Sequence, residues 1–166
     1  MYWNPIRRVF LAWAVILLIG FWFTYSQITL GPTDTNIVWA VLAVCGLAYM
    51  KKQMPFSDHG LRDIFFVWFA IIVLGILFSE AIFYWPPALP YSGYLGAIWL
   101  TLMALGHCLT GILDRKKLYI LTVAIQLAAA FLIVELLPSI PALFATQYLV
   151  AGIVGAFSMV LLILYA

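Results

Sequence analysis

The chain has 166 residues, 67% of them hydrophobic and 8% charged, with a net charge of +2 and a mean hydropathy of +1.14. Soluble domains carry about 25% charged and under about 50% apolar residues, so this chain has too few polar side chains to coat a water-soluble globule of its size. The same apolar excess excludes disorder, the small net charge excludes the basic face that nucleic acid requires, and two cysteines make no disulfide framework.

Uncharged apolar runs predict an all-α, polytopic integral membrane protein. It is expected to form one bundle over residues 1–166 with six spans, near 8–27, 36–51, 62–84, 93–113, 118–137 and 141–165. A span needs about 20 residues at 1.5 Å rise each. Span one follows Arg7-Arg8, as a secretory leader would. Its apolar stretch is too long for a leader and ends in Thr24-Tyr25-Ser26-Gln27 with no small-x-small cleavage site, so a retained helix is expected. Gly31-Pro32 turns the chain, and Thr33, Asp34 or Thr35 is placed to cap span two. Span two is the shortest, with 14 residues between Asn36 and Lys51; it crosses only by borrowing polar neighbours or by letting Lys51 and Lys52 snorkel.

Ser57 or Asp58 is the expected cap of span three. Beyond that span, Pro86-Pro87-Ala88-Leu89-Pro90 cannot be helical. Phe83, Tyr84, Trp85, Tyr91 and Tyr94 crowd this loop as an interfacial aromatic belt, and Tyr2, Trp3 and Tyr119 are assigned the same place on the other face. Span four ends at Asp114-Arg115-Lys116-Lys117, a stop-transfer cluster suited to anionic headgroups. Pro138 stops span five, and Ser139 caps span six with Pro141 just inside it. On span six, Ala151, Gly152, Gly155 and Ala156 make overlapping small-xxx-small pairs, and Ala124, Ala128 and Ala129 do likewise on span five; such faces let helices pack closely.

The eight cations are Arg7, Arg8, Lys51, Lys52, Arg62, Arg115, Lys116 and Lys117. They fall in alternate connecting segments, and the segments between those have none. By the positive-inside rule both termini are cytoplasmic and the protein is a multi-pass component of the cell membrane. One internal echo is visible: Trp39 precedes Lys51-Lys52 as Trp99 precedes Lys116-Lys117, although the spacings, 12 and 17, differ.

Ionisable and amide groups in spans are the candidates for function. Glu80 lies 18 residues after Arg62 and Glu135 lies 18 after Lys117. At 1.5 Å per residue each is about 27 Å from the inner boundary. The two either reach the outer headgroups or share an ion or proton site. Gln126, nine residues after Lys117, sits near mid-membrane as a polar helix contact, and His107 is expected to bond a neighbouring helix nearer the inner face. Cys45, His107 and Cys108 lie at similar depth, which is the only arrangement that could suggest a metal; with no fourth ligand and no CxxC or HxxxH spacing, no metal and no cofactor is expected. Three functional readings follow. The first is a structural or accessory subunit that partners lipid and another membrane protein or a second copy. The second is a small-solute or ion transporter using Glu80 and Glu135. The third is an intramembrane enzyme using His107 and Cys108.

Overall fold

The structure, a computed structural model, describes residues 5–30, 35–54, 57–85, 87, 92–115, 117–140 and 143–165. Six helices follow one another: α1 (Pro5–Leu30), α2 (Thr35–Gln53), α3 (His59–Tyr84), α4 (Leu95–Asp114), α5 (Leu118–Leu136) and α6 (Leu143–Tyr165). Among the described residues there is no strand. Five helices are long and apolar enough to cross a membrane, with cores at Pro5–Ile28, His59–Ile82, Ser92–Asp114, Leu118–Leu136 and Phe144–Leu164. The sixth, α2, is as long as α5 at 19 residues, but those residues include Asn36, Lys51, Lys52 and Gln53. This is the architecture of a multi-pass membrane protein. Its outer surface agrees: Trp22, Val44, Phe131 and Ile120 are each more than 60% exposed, an apolar coat that needs lipid as its solvent.

Side-chain contacts fix how the helices run. Gly46 faces Trp13 and Gly20 faces Trp39, so α1 and α2 are antiparallel. Gly75 faces Trp99 and Gly106 faces Trp68, which makes α3 and α4 antiparallel. His107 meets Gln126 and Gly111 meets Tyr119, so α4 and α5 are antiparallel as well. Gly152 meets Phe21 and Gly155 meets Leu17, which sets α6 antiparallel to α1. The chain therefore passes up and down, and the start of α1, α3 and α5 shares one end with the close of α2, α4 and α6. All the described cations lie at that end. α6 is central, packed on α1, α4 and α5, whereas α2 and α3 meet only slightly.

Local chemistry explains the boundaries. Asp58 caps α3, its Oδ1 accepting from the Leu61 N–H at 3.1 Å. α4 ends because Arg115 takes the left-handed conformation at φ 54°, which reverses the chain into α5. The start of α4 is capped from another helix: the Gly96 N–H donates to Gln147 Oε1 of α6 at 3.0 Å. Two expectations are corrected. Ser139 does not open span six; its N–H and that of Ile140 donate to the Leu136 carbonyl, closing α5, and Ile140 itself is not helical. Tyr119 is not an interfacial residue but is 2% exposed, because the missing side chain at Gly111 lets its ring enter the bundle. Tyr84 and Trp85 are 76% and 62% exposed, as a belt requires. Tyr2, Trp3, Gly31, Pro32, Thr33, Asp34, Pro86, Ala88, Leu89, Pro90, Tyr91, Lys116 and Pro141 lie outside the described residues.

Candidate functional site

Each of the first four helices carries a tryptophan followed seven residues later by glycine: Trp13 and Gly20, Trp39 and Gly46, Trp68 and Gly75, Trp99 and Gly106. Seven residues is about 20° short of two helical turns, so both members face the same way. Chance would put one of 11 glycines at a given place about once in fifteen, yet four of the seven tryptophans have one. The structure gives the reason. Within each antiparallel pair, α1–α2 and α3–α4, the tryptophan of one helix lies over the glycine of the other, reciprocally. A Cβ on Gly20 would stand 2.5 Å from the Trp39 ring, one on Gly46 2.8 Å from Trp13, and one on Gly106 3.1 Å from Trp68; the Gly75–Trp99 approach is closer still. Only hydrogen at these positions lets the flat rings lie on the helix backbone.

A hydroxyl completes three of the four units. Four residues after the glycine come Thr24, Ser79 and Thr110. Each donates to the carbonyl of its own glycine, at 2.8–2.9 Å. Each then accepts the indole N–H lying across it: Trp39 to Thr24 at 2.9 Å, Trp99 to Ser79 at 3.2 Å, Trp68 to Thr110 at 3.1 Å. The fourth unit has Met50 in the hydroxyl's place. Accordingly the buried Trp13 Nε1 has no hydrogen-bond partner among the described residues.

The four indoles meet where the two hairpins face each other. Trp39 and Trp99 are nearly parallel, with ring centroids 6.0 Å apart and planes at 12°, and Phe21 stands edge-on to both. Together with Leu17, Ala43, Ile71, Ile72, Ile76, Met103 and Met159 the four tryptophans enclose an apolar cavity of about 40 Å³. That is well below the roughly 150 Å³ that admits a benzene-sized guest.

Beside it, toward the cationic end, lies a polar layer. His107 Nδ1 donates to Gln126 Oε1 at 2.9 Å, both side chains being fully buried. The Trp68 and Tyr119 rings flank the imidazole at 5.0 and 6.3 Å, and Phe10 stands edge-on to it at 6.4 Å. Tyr119 is hydrogen-bonded in turn to Asp114. His107 Nε2 and Gln126 Nε2 have no hydrogen-bond partner among the described residues. His107 and Gln126 were separate candidates by sequence, and the structure joins them.

The remaining candidates lie apart. Cys45 and Cys108 face the surface, away from buried His107, and the described residues contain no group of three His, Cys, Asp or Glu side chains able to hold a metal. Neither cysteine fills the core, as thiols in apolar runs commonly do. Glu80 is half-buried on α3 and Glu135 exposed on α5. Both helices pack on α4 and share no extensive contact with each other. Ala151, Gly152, Gly155 and Ala156 are buried, with Gly152 against Phe21 and Leu17 of α1. On α5, Ala124 and Ala128 are exposed and Ala129 is half-buried. The tryptophan–glycine unit was missed by sequence reasoning because the Trp39 and Trp99 echo was measured to the lysines; measured to the glycines, the spacing is constant.

No protein-family model, curated protein or solved structure matches this chain.

Proposed function

We propose that the protein is a six-span component of the cell membrane, with both termini cytoplasmic, that acts as a structural or accessory subunit rather than as a catalyst. The observation supporting this reading is how the interior uses its polar groups. Trp39, Trp68, Trp99, His107 and Gln147 each bond to a neighbouring helix. Such bonds hold helices in register. The cavity between the hairpins is walled by apolar side chains. The partner is another membrane protein or a second copy, met within the bilayer.

The transport reading rests on Glu80 and Glu135 and has less support, because the helices carrying them stand on α4 without extensive mutual contact. The catalytic reading rests on His107 and Cys108. It is weakened by their positions: one is fully buried, the other faces outward.

The test is extraction of the full chain from its native membrane in polymer-bounded discs, followed by mass measurement. The accessory reading predicts a stoichiometric assembly larger than one chain, whose partner falls in abundance when this chain is deleted. A lone chain whose Glu80→Gln, Glu135→Gln double variant changes ion- or pH-dependent uptake would replace this reading with transport.

A further inference from the structure

Between α4 and α5 an open groove of about 420 Å³ runs along the surface of the bundle. Clefts that hold small molecules measure roughly 300–1,000 Å³. The buried Ala97 and Ala130 form its floor, and Ile98, Leu102, Leu127 and Phe131 stand beside them. Nearer the cationic end the two helices are tied together, where His107 bonds Gln126 and Tyr119 lies on Gly111. On α5 the groove runs from Leu127, ten residues after Lys117, to Val134, seventeen after it. At 1.5 Å per residue these lie about 15 and about 26 Å from the cationic boundary. The hydrocarbon of a bilayer is about 30 Å thick, so the groove reaches from the midplane to the headgroups of the far leaflet.

That extent selects the occupant. A partner helix crossing the membrane would lie along about 30 Å, whereas one lipid chain fills a single leaflet, about half of that. The mouth of the groove adds a charge. Glu135 is exposed one turn beyond Phe131 on α5, on the side that lines the groove. Every described cation lies at the other end of the bundle, and no described side chain forms an ion pair with Glu135. Tyr94 lines the mouth from α4, a residue type suited to headgroup level. A carboxylate in this place attracts a headgroup ammonium and repels a headgroup of net negative charge. We propose that the α4–α5 groove is a binding site for one phospholipid of the leaflet away from the cations, with an acyl chain in the groove and its headgroup ammonium paired with Glu135. The site goes beyond the accessory role and does not depend on it.

The test uses two lipids with the same dioleoyl chains, phosphatidylethanolamine, which carries an ammonium, and phosphatidylglycerol, which does not. Each is titrated onto the purified full chain in detergent, and retained lipid is counted by native mass spectrometry. Phosphatidylethanolamine should be retained saturably, one per chain, about fivefold more tightly than phosphatidylglycerol, the fold-change expected of one exposed ion pair. Glu135→Gln removes the charge from an exposed position and should erase that preference while the chain contact persists. Thr101→Trp fills the groove from its exposed wall and should abolish saturable retention of both lipids, with thermal unfolding confirming that the variant is folded. Absence of saturable retention by the unaltered chain, equal retention of the two lipids, or retention that survives Thr101→Trp overturns the proposal. So does disulfide crosslinking of Thr101→Cys to a second protein in native membranes, with Cys45 and Cys108 replaced by alanine, since a partner helix would then occupy the groove.

Discussion

A hydroxyl placed one helical turn after a glycine does two things in this protein: it returns a hydrogen bond to its own backbone and takes one from the tryptophan crossing over it. Thr110 shows this most fully, being completely buried between the Gly106 carbonyl and Trp68 Nε1. Thr110→Val keeps the shape and strands the indole N–H. It is expected to lower stability by about 1–3 kcal/mol, measured by thermal unfolding in detergent. Thr101→Val is the control, since that exposed hydroxyl bonds only its own helix at Ala97; its effect should stay within about 0.5 kcal/mol. At His107 and Gln126 a double-mutant cycle with leucine at each position should give a coupling of about 1 kcal/mol. A coupling near zero would mean that the two do not hold each other. That they meet was partly legible in the sequence, since they lie seven residues before Asp114 and nine after Lys117 on consecutive spans. The rotation of each helix was not, because these spans are apolar nearly all round and carry no stripe to mark the inner face.

At the scale of the helix, the glycines set how closely each pair packs, and the order of their contacts predicts an order of sensitivity. Alanine at Gly75 or Gly20 drives a methyl into an indole ring and is expected to cost about 1–3 kcal/mol through overpacking. Alanine at Gly106, where the approach is 3.1 Å, should cost less. Chemical denaturation of the three variants checks the ranking, and Gly106→Ala proving the most damaging would refute it. Helix boundaries were readable because charge, proline and the Asp58 cap stop apolar runs. The tryptophan–glycine exchange was only half readable: the seven-residue spacing is local to each helix, but which ring covers which glycine depends on the pairing of helices. Tyr119 shows the same limit. Its depth was evident, while its burial depends on the absent side chain of Gly111 in another helix.

For the whole molecule, the claim that organises the rest is that two antiparallel hairpins of one design stand side by side, so that every connection bearing cations lies at one end. α2 is the critical helix, being the one outside the five that meet the length and hydropathy of a span. Trp39 covers Gly20 while Trp13 covers Gly46, so α2 runs antiparallel to α1 over at least these two turns, and it is expected to cross with α1. The direct measurement is labelling by a membrane-impermeant maleimide, with Cys45 and Cys108 first replaced by alanine and single cysteines placed at Thr33, Ser57 or Lys117. In intact cells only Thr33→Cys should react; in inside-out vesicles only Ser57→Cys and Lys117→Cys should. Thr33→Cys and Ser57→Cys reacting from the same side would contradict a membrane-crossing α2, and with it the paired hairpins.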